Sequence, residues 1–228
     1  MKMHPEYPWT TQAHNVFKWI LLAQVAISIL IGVIFGDLLM AVVIALVIVS
    51  VPIFLGINMP HHPISRHAVG IATQLMAALH IQQTFGMTEM HFAIFVLLAF
   101  LFFFRDWKVV VSSVVVVAVH HIGFFALQYY QIGSFVAFEE GRVMFSILII
   151  HAVFAVAEGV VLGFMARKSH NEAVGAELLK TTVRNIMGKD GLIDLDEKHL
   201  TDVEVFPYSG DGEHLYPRYV RIVVASFF

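Results

Sequence analysis

The 228-residue chain contains no cysteine and few charged residues. The absence of cysteine excludes disulfide bonds, thiolate metal ligands, iron–sulfur clusters and c-type haem attachment. Aspartate, glutamate, lysine and arginine together make up 14% of the residues, whereas a soluble domain carries about a quarter. The formal charge is −3 and no basic stripe is present, so we expect no nucleic-acid partner.

The chain contains long apolar segments instead. Hydrophobic residues make up 58% of the sequence, and the mean hydropathy is +0.78. A membrane-spanning helix needs about 20 mostly apolar residues, and a window of that length finds candidates at 15–35, 38–57, 66–85, 90–104, 109–130 and 143–166. The sequence therefore predicts an all-α integral membrane bundle of six transmembrane helices. No enzymatic activity is expected.

Basic residues beside the helix ends predict the orientation in the membrane. In a six-pass arrangement they fall on one side: Lys18, Arg66, Arg105, Lys108, Arg167 and Lys168. Because basic residues are retained on the cytoplasmic side, both termini are predicted to face the cytoplasm, across a bacterial inner membrane. The opposite side is acidic, with Arg142 as the exception: Asp37, Glu89, Glu139 and Glu140.

The polarity of the chain changes after Lys168. We expect residues 1–168 to form the membrane domain. Residues 169–200 are predicted to form a cytoplasmic helical linker, because apolar residues recur there at helical spacing. Residues 201–228 show no periodicity and end in an uncharged apolar run, which predicts a truncated or altered C-terminus.

Thirteen histidines are the unusual feature of the composition. With a helix rise of about 1.5 Å per residue, several of them fall in the outer half of the membrane: His80, His91, His120, His121 and His151. An ionisable side chain inside a bilayer costs roughly 2–3 kcal/mol or more when charged, and is by default a candidate functional residue. We therefore predict a ligand site formed by His80, His91, His121 and His151.

Several chemistries remain open for that site. Neutral imidazole binds copper, zinc, iron or nickel, and a haem b would need two facing histidines, such as His80 with His121 or His151. Alternatives are a pH-responsive histidine network without a metal and purely structural hydrogen bonding. Four other polar residues are predicted to support the ligands: Gln83, Glu89, His120 and Glu158.

A different class of protein, a b-type cytochrome acting as a membrane electron carrier or oxidoreductase, is weakened by the histidine pattern. Two haems need four axial histidines, arranged as two pairs at two depths. Only His62 and His67 offer an inner layer, and both lie at the edge of a helix. A transporter would favour broken helices and internal repeats, which this sequence lacks.

Two polar segments lie at the inner ends of the predicted helices. The run 60-PHHPISRH-67 predicts a capped helix start, with Arg66 and His67 at lipid headgroups. The next inner turn is predicted to hold a charge pair and a tryptophan at headgroup depth: Arg105, Asp106 and Trp107.

These motifs, taken in order along the chain, resemble a known family. They are similar to the six-pass N-terminal sensor region of bacterial methyl-accepting chemotaxis proteins, which also precedes histidine kinases and diguanylate cyclases. The motif chain is Arg-His, a membrane histidine, a glycine loop, Glu-x-His-Phe, an apolar run and Arg-Asp-Trp. The matching residues are Arg66, His67, His80, Gly86, Glu89, His91, Phe92, Arg105, Asp106, Trp107 and His121.

The resemblance implies the sensory input module of a chemoreceptor-like signal transducer. It also implies a homodimer and a downstream signalling domain or protein in the cytoplasm, but it names no ligand. The chain departs from the family pattern at Gln83, Met87 and Ala93, where the family has further histidines or basic residues. The 228 residues also do not include the long coiled-coil signalling domain.

Overall fold

The computed structural model describes residues 7–186. They form six α-helices: α1 (Pro8–Phe35), α2 (Leu38–Asn58), α3 (Pro63–Gln83), α4 (Phe92–Phe100), α5 (Trp107–Tyr129) and α6 (Phe145–Ile186). Short 3₁₀ helices flank α4 at Thr88–His91 and Leu101–Phe104. The all-α prediction is confirmed for this part of the chain. Residues 187–200 of the predicted linker and the tail 201–228 lie outside it.

Four of the helices are long and apolar enough to cross a membrane: α1, α2, α5 and α6. The segment Thr88–Phe104 is apolar but shorter. Large apolar side chains such as Leu39, Val47 and Phe164 are exposed on the outer surfaces of these helices, where a bilayer rather than water would solvate them. These features identify a multi-pass membrane protein. Below, "inner" denotes the helix ends near Arg105, and "outer" the opposite ends.

The local sequence determines where the helices begin. Pro8 occupies the first turn of α1, where a missing N–H costs nothing. The helix starts seven residues earlier than predicted, because its first two turns are polar and an apolar window passes over them. His62 Nδ1 accepts a hydrogen bond from Ile64 N at 3.2 Å and caps α3. Asp106 Oδ1 accepts one from Lys108 N at 2.9 Å and caps α5.

The least apolar helix, α3, is also the most buried. Twelve of its 21 residues are buried, compared with four of 21 in α2. It packs against α1, α2, α4 and α5. A helix surrounded by other helices is shielded from lipid, so it tolerates polar side chains wherever its neighbours supply hydrogen-bond partners.

Helix α1 supplies those partners through four hydrogen bonds, which we call the α1–α3 ladder. Gln24 Nε2 donates to Thr73 O at 3.0 Å, and His80 Nε2 donates to Gln24 O at 3.0 Å. One turn further along α1, Ser28 Oγ donates to Gln83 Oε1 at 2.8 Å. Gln83 Nε2 donates back to Ser28 O at 3.1 Å. The ladder fixes which face of α3 turns towards α1.

The opposite face of α3 approaches α5 closely. A Cβ atom added to Gly70 would lie 2.5 Å from Ser113 Oγ and 3.0 Å from Val109 Cγ1, so a larger residue would push the helices apart. One turn earlier, His67 Nδ1 lies 2.8 Å from Ser112 Oγ. The structure therefore places His67 between α3 and α5, and its position at lipid headgroups stays a prediction.

The inner turn between α4 and α5 ties together three parts of the chain. Arg66 Nε of α3 lies 2.8 Å from Asp106 Oδ2. Arg105 has a left-handed backbone at φ +50° and holds its guanidinium 5.4 Å from the centre of the Trp9 ring. The predicted charge pair thus joins the turn to α3 instead of lying within the turn. Within the described residues, Asp106 is the ion-pair partner of Arg66.

A boundary between two compact units of the chain falls inside α6, after Val174. The first unit contains the helix contacts above. In the second, the described residues 175–186 continue as helix. There, Lys180 Nζ pairs with Glu177 Oε1 at 3.3 Å.

Removing the Ser28 hydroxyl tests the α1–α3 ladder. Ser28→Ala leaves Gln83 Oε1 without its 2.8 Å donor, so we expect the free energy of unfolding in detergent to fall by about 1 kcal/mol. The matched control is Ser50→Ala, because the Ser50 hydroxyl is exposed and donates to Val47 O of its own helix. Equal melting temperatures for the two variants would contradict the ladder.

Candidate functional site

Three histidine rings from three elements come together near the outer end of the structure. His91 closes the 3₁₀ helix before α4, His121 lies in α5, and His151 lies in α6. The ring centroids of His91 and His121 are 5.4 Å apart, those of His91 and His151 are 5.2 Å apart, and those of His121 and His151 are 5.8 Å apart. We call these side chains the three-histidine cluster.

All three rings use Nδ1 in the same way. Each Nδ1 donates to the backbone carbonyl oxygen four residues earlier, at 3.1, 3.0 and 2.8 Å, in the order Met87, Val117 and Ile147. A neutral imidazole with its proton on Nδ1 keeps a lone pair on Nε2. In their neutral form, the three rings would therefore present three Nε2 lone pairs.

The surroundings of the cluster are apolar. Phe138, in the loop before α6, packs on all three rings, with centroids 6.0, 5.9 and 5.3 Å from those of His91, His121 and His151. A cavity of about 60 Å³ adjoins the rings, and apolar side chains form the rest of its wall. His91 Nε2 is buried and makes no hydrogen bond of good geometry in the described part of the chain, although a backbone group of Ala137 lies close enough to interact with the ring. Such an unpaired atom costs about 1–3 kcal/mol, so a ligand there would stabilise it.

The spacing of the rings suits one small metal ion. With nitrogen–zinc distances of about 2.0–2.1 Å, three imidazoles around a tetrahedral ion have ring centroids about 5 Å apart. No group of three or more His, Cys, Asp or Glu side chains within residues 7–186 is already in place to hold a metal ion. The ring nitrogens would therefore have to converge further on a common point before an ion could bind.

A haem does not fit beside these rings. Pockets for cofactors and drug-sized ligands have volumes of about 300–1,000 Å³, whereas the cavity at the cluster has about 60 Å³.

The structure does not place every predicted ligand in the cluster. His80 belongs to the α1–α3 ladder, where its Nε2 donates to a carbonyl oxygen of α1 and so carries a proton instead of a free lone pair. Gln83 belongs to the same ladder. The Glu89 side chain is exposed and makes no hydrogen bond or ion pair among the residues that the structure describes. The geometry therefore assigns none of these three to the cluster.

Two other predicted residues lie close to the cluster along the chain. The His120 ring lies 5.1 Å from that of His121, and its Nε2 is buried without a partner in the described range. Glu158 lies two helical turns beyond His151, and its Oε2 is likewise buried and unpaired among residues 7–186. Both side chains are polar groups that the local structure leaves unsatisfied.

No sequence motif points directly to Phe138, but one residue of the sequence points to it indirectly. Gln128, at the end of α5, clamps the loop: its Oε1 accepts from Ala137 N and Phe138 N at 3.0 and 3.1 Å, and its Nε2 donates to Phe138 O at 2.7 Å. An amide at the end of an apolar helix is the signal that could have pointed to an ordered loop.

No protein-family model, curated protein or solved structure matches the chain. The resemblance to chemotaxis sensor regions therefore rests on the sequence motifs alone, and the roles of the clustered residues are inferred from their geometry.

Gly86 allows a test of how the Phe138 loop is held. Gly86 and Gly141 have almost the same backbone conformation, at φ +79° and +80°, so alanine is strained at both positions. A Cβ on Gly86 would also collide with the backbone of Phe138, whereas one on Gly141 meets nothing within 4 Å. We expect Gly86→Ala to lower the free energy of unfolding by about 1–3 kcal/mol more than Gly141→Ala. Equal thermal shifts in detergent would argue against the loop contact.

Proposed function

We propose that the chain is the sensory input module of a membrane-bound signal transducer, and that the stimulus is a metal ion bound by His91, His121 and His151. The observation that carries the proposal is the shared use of Nδ1 by these rings. Metal-binding histidines donate their second ring nitrogen to a carbonyl or carboxylate in this way, which fixes the tautomer and orients the ring. Three neutral imidazoles suit zinc, copper or iron.

We also infer a six-pass topology in a bacterial inner membrane, with both termini in the cytoplasm. The 21 residues of α3 reach about 32 Å, which is enough to cross the hydrocarbon layer. Two of its polar side chains, His80 and Gln83, are bonded to α1 in the α1–α3 ladder. The basic residues at the inner helix ends favour the cytoplasmic side for that end: Arg66, Arg105, Lys108 and Arg167.

Helix α6 is the element that a bound ion would displace. Helices α1, α2 and α3 pack on one another, and α3 packs on α4 and α5, whereas α6 packs loosely, with cavities between it and α5. An ion shared by His91, His121 and His151 would tether α6 to α4 and α5. The bound and free states would then differ in the position of α6, a two-state change driven by differential binding. The same helix continues to Ile186, towards the cytoplasmic partner that the sequence motifs imply.

Metal analysis of the purified protein tests the site. We expect about one ion per chain in detergent. The occupancy should fall by about tenfold or more after His91→Ala, His121→Ala or His151→Ala. His80→Ala is the matched control, because it also removes a buried imidazole bonded to a backbone carbonyl, but one from the α1–α3 ladder. It should lose thermal stability and keep the ion. A wild-type protein without stoichiometric metal, or equal metal loss in His80→Ala, would contradict the proposal.

A distance measurement tests the displacement of α6. Because the chain lacks cysteine, spin labels can be placed at Phe103→Cys and Val161→Cys, two exposed positions at the inner end of the α4 segment and on α6. Adding the ion should shorten and narrow the distance distribution in pulsed electron resonance, because it tethers α6. The same labels with His151→Ala should show no change. An unchanged distribution in protein with a full complement of metal would leave the site intact and refute the displacement.

A further inference from the structure

A second cavity lies between α5 and α6 and opens to the outside of the helices. Its volume is about 400 Å³. Its walls are apolar: Val115 on the α5 side, and Val160 and Gly159 on the α6 side. At the inner end, the lining changes to Trp107 and Arg167. We call this cavity the α5–α6 groove.

The groove has the length of one bilayer leaflet. Its lining on α5 extends from Trp107 to Val115, which is about 12 Å of helix. Its lining on α6 extends from Val156 to Arg167, which is about 17 Å. Half of the hydrocarbon layer of a bilayer is about 15 Å thick. The apolar part of the groove therefore matches the depth to which one acyl chain reaches from the membrane surface.

The inner end of the groove carries an unpaired cation. Arg167 is exposed and has no ion pair or hydrogen bond within the part of the chain that the structure describes. Its neighbour Lys168, by contrast, pairs with Glu172 Oε1 at 3.9 Å. A guanidinium group binds phosphate oxygens with two parallel hydrogen bonds. Trp107, 41% exposed at the same end, is the residue type enriched at the membrane–water interface.

We propose that the α5–α6 groove binds one anionic phospholipid, with an acyl chain between the helices and the phosphate on Arg167. Charge complementarity favours this occupant over the apolar helix of a second copy, which would leave Arg167 without a counter-ion. The lipid site is inferred from the groove and the cation, and it does not depend on metal binding.

The lipid would act on the same pair of helices that carries two of the three clustered histidines. Val114 and Val156 line both the α5–α6 groove and the cavity beside the cluster. A chain lodged against these two valines holds α5 and α6 apart at a level next to His121 and His151. Lipid composition would therefore set the spacing of α5 and α6, and its effect on the response of α6 rests on the proposed function.

Native mass spectrometry of the full chain in detergent tests the site, with phosphatidylglycerol and phosphatidylcholine as the probes. We expect one retained phosphatidylglycerol, bound at least about fivefold more strongly than phosphatidylcholine, because only the former adds net charge opposite Arg167. Arg167→Gln should lower the retention of phosphatidylglycerol by about fivefold or more. The matched control Lys168→Gln removes an adjacent cation that already has a partner, and should leave retention unchanged.

A second variant separates the groove from the charge. Val115→Phe combined with Val160→Phe fills the groove from both sides, and both positions are exposed, so the melting temperature should be unchanged. This variant should lose the retained phosphatidylglycerol. Equal retention of the two lipids, or equal losses for Arg167→Gln and Lys168→Gln, would overturn the proposal. The proposal would also be overturned if the wild-type protein formed a dimer without bound lipid and this dimer dissociated in the variant with the filled groove. That result would assign the groove to a second copy.

Discussion

Hydrogen bonds between α1 and α3 control where the least apolar helix of the chain can lie. In a medium without water, the amides of Gln24 and Gln83 and the imidazole of His80 need protein partners, and the two helices supply them reciprocally. Once that face of α3 is committed to α1, the face with Gly70 meets α5. The placement of α5, and with it His121, thus follows from polar pairing on the far side of α3. The pairing is incomplete in the described region, because Gln24 Oε1 and both amide atoms of Gln74 are buried and unpaired.

The three-histidine cluster combines local and long-range determinants. Each Nδ1 bond closes on a carbonyl four residues back, so the tautomer of each ring is set within its own stretch of chain. The spacing of the rings has a different origin, because it requires three elements to meet. These are α5, α6 and the 3₁₀ helix that precedes α4. Phe138 completes the enclosure from a loop clamped by Gln128. The tautomers of the rings are therefore set locally, and the spacing of the rings is set by the fold.

The helices were largely predictable from the sequence, because apolar length and helix-start residues are local properties. The predicted second and fifth helices, 38–57 and 109–130, lie within two residues of α2 and α5. Which histidines form the three-histidine cluster was only partly predictable. Counting residues along a helix predicts how deep each residue lies in the membrane. By this measure, His80 lies at about the same depth as the other histidines. The direction in which a side chain points depends on the rotation of its helix, which the α1–α3 ladder sets through distant residues.

The 3₁₀ helices on either side of α4 have a mechanical consequence. A 3₁₀ helix rises about 2.0 Å per residue, compared with about 1.5 Å for an α-helix. With four 3₁₀ residues at each end of the nine-residue α4, the 17-residue stretch from Thr88 to Phe104 reaches about 30 Å, some 4 Å further than the same residues in a uniform α-helix. About 30 Å is the thickness of a hydrocarbon layer. Tighter winding at both ends thus makes the segment longer than a uniform α-helix, with His91 at the end of its first 3₁₀ helix and Arg105 just past its other end.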